Sequence, residues 1–468
     1  MRIRVLGQYF SASIALLSAV EALVFVIAVY GAALVCFHVD LGGLPQLSVI
    51  EGALWPRALL FSAVMLISLL AFGLYSSRQR ARLVGVALRV TLAHSTGLVI
   101  TVILFYLVPA LWIGSEVILG AGIGGLCGVM ISRLIFTRAV GEKVFRRRVV
   151  VYGAGESAAV IDGLRRRADR RGFVVLGFVP AKPGERGVRT GRILDSGTSL
   201  VQICQRLGAA EIVIAMDDRR TGFPLAQLLE CRLAGIEVTE LLSFLERETG
   251  RVRIDVLNPS WMIFGQGFRR DPVRRISSRL LDLTASLAVL LVTFPVMLVA
   301  VLAIKLEDGW RAPVLYRQRR VGFAGKPFDV LKFRSMRIDA ESDGRARWAR
   351  QGDPRVTRVG SFMRKTRIDE LPQLFNVLHG RMSVVGPRPE RPEFVADLAE
   401  RIPYYVQRHC VKPGVTGWAQ LCYPYGASET DALEKLQYDL FYVKNNNLLF
   451  DLSILLQTVE VVLLGKGC

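Results

Sequence analysis

Four apolar stretches fill the first third of the chain, at about residues 12–38, 54–75, 84–108 and 110–137. Each is near the roughly 20 residues that a helix needs to cross a hydrocarbon core. No small-residue cleavage site follows the first, so it reads as an anchor and not a removable leader. From Arg148 the period changes: "RRVVVYGAGESAAVIDGL" opens on a β-branched run, turns through Gly153, Gly155 and Ala158, and continues with helical spacing. The runs "GFVVLGFV" and "AEIVIAM", then amphipathic "TGFPLAQLLECRLAGI" before "EVTEL", extend the alternation. Strands alternating with helices predict a parallel sheet. A fifth apolar stretch runs from about Leu283 to Ile304, and near the end "LLFDLSILLQTVEVVLL" is too interrupted by Asp451, Gln457 and Glu460 to span. That last segment reads as an interfacial or core helix. The predicted divisions are 1–145, 146–265 and 266–468.

Charge fixes the orientation. Arg2 and Arg4 precede the first span, Arg78, Arg80 and Arg82 separate the second and third, and Arg138, Lys143 and Arg146 to Arg148 follow the fourth. The loops from Asp40 to Glu51 and near Pro109 hold almost no Lys or Arg, so both ends of the set belong in the cytosol. Arginines also flank the fifth stretch: Arg269, Arg270, Arg274, Arg275 and Arg279 before it, Arg311, Arg317, Arg319 and Arg320 after it. With Pro295 near its middle, the economical reading is a helix-break-helix at about 276–305 that enters one leaflet and returns; a proline-kinked spanning helix is the alternative. Glu21 and His94 lie inside spans and are expected to face neighbouring helices.

Composition agrees with a chain that is part membrane and part cytosolic. Hydrophobic residues make up 52% and charged residues 21%, with a mean hydropathy of +0.38. A net charge of +20 calls for an acidic partner, and the hydropathy favours a membrane surface or phosphorylated substrates over nucleic acid. Seven scattered cysteines without metal spacing predict reduced thiols. The glycine turn at Gly153 fits a dinucleotide fingerprint, yet "GFVPAK" supplies Pro180 and Lys182 where an acid would hold a ribose. A bound NAD and a purely structural domain both remain open readings.

The candidate chemistry lies beyond the fifth stretch. "GKPFDVLKFRSMR" alternates as a strand with Phe328, Val330, Lys332 and Arg334 on one face, and two cations at a strand end suit a phosphate. In "RIDELPQLFNVLHG", Pro372 suits the first turn of a helix, which puts Asp369 and Glu370 at its N-terminus as available anions. Adjacent helical positions diverge by about 100°, so divided roles are more natural than a shared proton: one carboxylate attacks, the other holds a hard cation such as Mg²⁺. Arg388 between Pro387 and Pro389 is a pre-organised anion contact, and Lys412 begins a rigid loop closed by Gly417 and Trp418. His379 and His409 lack ligand spacing and read as structural.

The ordered motifs "YRQRRVG", "KFRSM", "RKTRIDELPQLFNVL", "SVVGPRP" and "KPGVTGWAQ" resemble those of the bacterial sugar transferases, the monotopic polyprenyl-phosphate phosphoglycosyl transferases. The whole chain looks like the large members that start exopolysaccharide or O-antigen synthesis. The resemblance implies an α/β membrane protein: a four-helix transmembrane bundle, a Rossmann-like domain, and a catalytic α/β domain on a re-entrant helix broken at Pro295. It implies that Asp369 attacks the sugar-bearing phosphate of a UDP-sugar, expels UMP and passes the phosphosugar to polyprenyl phosphate. Glu370 is implied as the Mg²⁺ ligand, and Lys332, Arg334, Arg364, Arg388 and Lys412 as substrate contacts. A location on the cytoplasmic face of the bacterial inner membrane and a homodimer are expected. Phe294 stands where many members have serine, and Thr293 is expected to take over that backbone hydrogen bond. Two other readings are an NAD-dependent nucleotide-sugar dehydratase or epimerase, which would need a Tyr-x-x-x-Lys pair absent from the C-terminal half, and a non-enzymatic membrane scaffold.

Overall fold

A computed structural model describes residues 2–5, 8–39, 53–75, 83–139, 146–164, 169, 172–189, 192–195, 197–218, 220, 222–257, 262, 272–337, 353–423, 426 and 428–463. The loop from Asp40 to Glu51, Arg78, Arg80, Arg82, Lys143, Arg269, Arg270 and Cys468 lie outside them. The chain forms two compact units, Met1–Thr249 and Gly250–Cys468.

In the first unit a hairpin of β1 (Arg2–Val5) and β2 (Gln8–Ser11) leads into α1 (Ala12–Val39), α2 (Leu54–Ala71), α3 (Leu83–Leu107) and α4 (Ser115–Ala139). α1 packs on α2 and α4, and α3 packs on the same two. Phe25, Val29, Phe61, Met65, Ala93 and Ala121 are buried between them, while Leu16, Ile27, Ile67, Ile103, Leu119 and Ile123 point outward and stay exposed. A helix apolar on both faces suits lipid, not water. Glycines permit the close approach on α4: a Cβ at Gly128 would lie 2.4 Å from a methyl of Val24. Glu21 is fully buried against Arg133 (Nε to Oε1, 2.7 Å) and accepts from Tyr75. His94 Nε2 meets the Gly122 carbonyl at 2.7 Å. Both face neighbouring helices, as expected.

Next, β3 (Arg147–Tyr152), β4 (Phe173–Val179), β5 (Glu211–Ile214) and β6 (Glu237–Glu240) form a parallel sheet in the order β4-β3-β5-β6. Between and after them come α5 (Glu156–Asp162), α6 (Leu200–Leu207), α7 (Leu225–Leu233) and α8 (Leu241–Thr249). Strand residues Val149, Val150, Val151, Ile212 and Val213 are wholly buried, the mark of a sheet covered on both faces. Gly153 turns the chain at φ +116°, where a Cβ would sit 2.3 Å from the Ala215 carbonyl. The amides beyond this turn are already engaged. Asp217 accepts from Glu156 N (3.0 Å) and Ser157 N (2.7 Å), and Glu185 accepts from Ala154 N (2.8 Å). Burial works against the Asp217 charge, but these donors prevail and hold its carboxyl below its ordinary range.

The second unit opens with α9 (Pro272–Asp308). Helix runs through Pro295 without interruption, because proline removes one intrahelical hydrogen bond and leaves its neighbours intact. The Thr293 hydroxyl donates to the Val289 carbonyl at 2.7 Å. Near one end of α9, Arg279 donates to the carbonyls of Val377 (2.7 Å) and Leu378 (2.6 Å), and buried Asp282 accepts from Ser383 Oγ and Val384 N, both at 2.8 Å. Near the other, Glu307 accepts from Arg358 N (2.8 Å) and Val359 N (2.9 Å). Leu291, Val292, Leu298 and Val299 between them are exposed.

After α9 come an antiparallel hairpin of β7 (Leu315–Val321) and β8 (Pro327–Phe333), α10 (Arg358–Thr366), a 3₁₀ turn (Ile368–Glu370) and α11 (Gln373–Leu378). β9 (Ser383–Val385) pairs in parallel with β10 (Gly414–Thr416), separated by α12 (Pro392–Arg401) and a 3₁₀ segment (Tyr405–Cys410). α13 (Trp418–Cys422), α14 (Glu429–Asn445) and α15 (Leu448–Leu463) close the domain. Their core holds Trp418, Tyr438, Phe441 and Ile454, and Trp418 Nε1 donates to the Gly250 carbonyl at 2.8 Å. α15 is a core helix: Asp451 is buried against Arg274 at 2.6 Å. Among the described residues, α1 to α4 and α9 are long and apolar enough to cross a membrane, and the six described cysteines are free thiols.

Candidate active site

Local sequence sets the dyad. Thr357 caps α10 by accepting from Gly360 N at 3.0 Å. Gly360 touches the end of the β8 segment so closely that a Cβ would lie 2.1 Å from the Ser335 carbonyl. That contact brings Arg364 to Ser335, whose hydroxyl accepts from Nε at 3.0 Å. Arg367 then ends the helix in the left-handed region at φ +61°, a conformation that costs a non-glycine residue about 1 kcal/mol or more. The reversal delivers Asp369 and Glu370 into the 3₁₀ turn just ahead of α11, with Pro372 at its N-cap.

The two carboxylates differ sharply. Glu370 Oε1 accepts from Arg388 Nη2 at 2.7 Å and from Lys332 Nζ at 3.3 Å, while Arg367 approaches Oε2 at 3.6 Å. Buried Asp369 makes no hydrogen bond or ion pair among the described residues. Burial opposes the charge of Glu370, but Arg388 and Lys332 outweigh it and hold that carboxyl well below the usual range. Asp369 moves the other way: burial and then the Glu370 charge push its carboxyl up, against Lys332, Arg364 and Arg388. Burial, with Arg388 and Arg320 nearby, pulls the Lys332 ammonium down despite Glu370 and Asp369.

Two supports escaped sequence reasoning. Asn376, inside apolar α11, accepts from Leu331 N (2.9 Å) and donates to the Asp329 carbonyl (2.7 Å), which clamps β8 and aims Lys332. Arg408 donates to the Arg388 carbonyl (3.0 Å) and to Tyr405 Oη (2.6 Å), and is paired with buried Asp439 at 2.8 Å. A buried asparagine in an apolar helix was a readable signal for the first. For the second there was none, since Arg408 and Asp439 lie 31 positions apart.

Of the residues expected from sequence, Lys332 and Arg388 converge on Glu370, and Arg364 lies close enough to Asp369 to bias its charge. Arg334 instead donates to the Pro313 carbonyl at 2.9 Å, and Lys412 lines a separate cleft with Phe328 and Arg381. Among the described residues no three His, Cys, Asp or Glu side chains converge as a metal cage. Glu370 Oε2, approached by Arg367 at 3.6 Å while Oε1 takes Arg388 and Lys332, is the oxygen of the dyad's tethered carboxylate that could join substrate phosphates around Mg²⁺.

A family model described as bacterial sugar transferase matches residues 273–465. The chain is 41% identical over 240 residues to the UDP-N-acetylgalactosamine-undecaprenyl-phosphate N-acetylgalactosaminephosphotransferase of Aeromonas hydrophila, covering 51% of this chain and 55% of that protein. It is 44% identical over 191 residues to the UDP-glucose:undecaprenyl-phosphate glucose-1-phosphate transferase of Escherichia coli, 40% of each chain. To the protein of that same description from Caulobacter vibrioides it is 42% identical over 190 residues, 40% of this chain and 70% of that one. The matches thus span about half or less of the first two relatives and most of the third. By its motifs and these likenesses, the chain belongs to the bacterial sugar transferase family of polyprenyl-phosphate phosphoglycosyl transferases.

Proposed function

We propose that this protein transfers a sugar-1-phosphate from a UDP-sugar to polyprenyl phosphate through a phosphosugar-aspartate intermediate. The observation that carries the reading is the asymmetry of the dyad, a free carboxylate on Asp369 beside a tethered one on Glu370. An Asp369 oxygen attacks the sugar-bearing phosphorus, and the bond to the bridging oxygen breaks as UMP leaves. An oxygen of polyprenyl phosphate then attacks the same phosphorus, releasing polyprenyl diphosphate sugar and restoring Asp369. Splitting the transfer into two displacements suits a covalent nucleophile. Arg388 and Lys332 stand where negative charge must be absorbed, and they are held before substrate arrives. Glu370 would hold Mg²⁺, which when bound would neutralise charge on the diphosphate.

The lipid substrate explains the apolar surfaces. Both ends of α9 are tied to the same domain, Arg279 and Asp282 at one and Glu307 at the other. That favours a segment that enters and leaves one face of the membrane, bent at Pro295, over a spanning helix. Arginine on both flanks supports the cytoplasmic face of the inner membrane, and α1 to α4 would form a transmembrane bundle there. The test is UMP release from a panel of UDP-sugars by purified protein with Mg²⁺ and undecaprenyl phosphate. Lipid-dependent release from one sugar, abolished in Asp369→Asn, is expected; undiminished release in the variant would overturn the nucleophile.

A further inference from the structure

Where the chain leaves α11, at Gly380 and Arg381, lies a cleft of about 500 Å³, lined by Arg319, Lys326, Arg381 and Lys412 together with the rings of Phe323 and Phe328. Its size falls within the range of small-ligand sites. Among the described residues, none of these four cations makes an ion pair or a side-chain hydrogen bond. Among the described residues Asp329, opposite Arg319 in the β7–β8 register, brings the one opposite charge to the lining. Four cations facing one carboxylate leave the recess with an excess of positive charge, which favours entry of an anion. Lys412 is partly buried, and burial, with Arg279 and Arg275 near it, pulls its ammonium down against the pull of Asp282.

The backbone is shaped to make this recess. Gly380 has φ +78°, and the point where its Cβ would stand is 3.7 Å from both Lys412 Nζ and Arg279 Nη1. Gly322 lets the Phe328 ring lie over the hairpin, since a Cβ there would come within 2.8 Å of it. The recess is distinct from the dyad. Phe328 and Lys332 are four residues apart on β8, about 13 Å along the strand, and α11 runs between Glu370 ahead of it and Gly380 after it.

We propose that this cleft is a second phosphate-binding site, outside the transfer site, that takes a phosphate ester carried next to an apolar or ring-shaped group. A lipid headgroup and a nucleotide share that chemistry. Arg279 belongs to the early turns of apolar α9, so the cleft borders the membrane segment. The lipid source therefore has the better claim.

The experiment uses the full chain in phosphatidylcholine nanodiscs and measures binding without turnover, so it does not depend on the proposed transfer. One arm follows capture of phosphatidylglycerol doped into the disc by native mass spectrometry; the other titrates UDP and inorganic phosphate by calorimetry. The double variant Arg319→Gln/Lys326→Gln should weaken one arm about 25-fold, and Arg381→Gln alone about fivefold, from the contribution of each basic residue near an anionic surface. Loss in the first arm identifies a lipid headgroup, and loss in the second a nucleotide or free phosphate. Unchanged binding in both arms overturns the proposal. So does an equal loss in Glu370→Gln, which would assign the bound phosphate to the transfer site.

Discussion

Arg408→Met separates the stability of the catalytic domain from the positioning of Arg388. The substitution removes three contacts at once: the pair with Asp439 at 2.8 Å, the bond to Tyr405, and the donor on the Arg388 carbonyl. Leaving one member of a buried pair uncompensated costs about 3–5 kcal/mol, or roughly 6–20 °C in Tm for a domain of this size. The loss should depend on pH. Burial already pushes the Asp439 carboxyl up to about 6 even with Arg408 opposing it. Its folded value lies above its unfolded one, so its contribution to stability declines as pH rises from about 4 to about 6 and is level above. Without Arg408 the folded value climbs and the declining window extends upward. From pH 6 to pH 8 the variant should therefore lose up to about 1.4 kcal/mol per unit while wild type stays level. Thermal unfolding at both pH values tests this. In Arg408→Met/Asp439→Leu no charge is stranded, so most stability should return, yet KM for the UDP-sugar should stay raised because Arg388 still lacks its brace. Equal destabilisation at pH 6 and pH 8, or a double variant no more stable than the single, would refute the reasoning.

Three further outcomes follow from the same geometry. Glu370→Gln removes a charge that raises the Asp369 carboxyl and frees Lys332 and Arg388 to lower it, so the acid limb of the pH–rate profile should move to lower pH even as kcat falls; an upward shift would contradict the assignment. Asn376→Leu leaves Leu331 N and the Asp329 carbonyl without their partner, and should cost about 2–4 kcal/mol in chemical unfolding with a fall in kcat. Asp217→Ala uncovers the amides of Glu156 and Ser157, and should cost about 0.5–2 kcal/mol by thermal unfolding.

What the sequence made legible was whatever depends on neighbours along the chain. The runs "VVVY", "GFVVLGFV" and "EIVI" announced a parallel sheet because a strand buried on both faces needs no alternation. Asp369, Glu370, Lys332 and Arg388 were recognisable because motif order and proline bracing are local properties. Lys412 was grouped with them for its place in a rigid loop and a shared motif, whereas the turn at Gly380 puts it beside Arg279 and the separate cleft. Pro295 read as a break because proline forbids a hydrogen bond, yet packing against Phe333 and Met363 through Met297, Ala300 and Ile304 sustains the helix beyond it. The closing of the glycine turn by Asp217 and Glu185 was likewise invisible, since both carboxylates arrive from loops remote in sequence.

The division between the two carboxylates has a physical rationale that neither residue carries alone. A nucleophilic carboxylate must be ionised but not engaged, because every hydrogen bond it accepts lowers its reactivity along with its pKa. Burial would protonate such a group if nothing offset it, and direct ion pairing would quench it. Glu370 resolves the conflict by drawing Arg388 and Lys332 into contact with itself. Their positive charge then reaches Asp369 through space, against the rise that burial and the Glu370 charge impose on its carboxyl, without occupying its oxygens. Exchanging the two side chains, Asp369→Glu with Glu370→Asp, keeps net charge and both carboxyl groups. On this account it should still abolish transfer, because the shorter side chain at the second position would fall short of Arg388 and Lys332. Activity within tenfold of wild type in the exchanged variant would mean that charge alone suffices and that the tether is incidental.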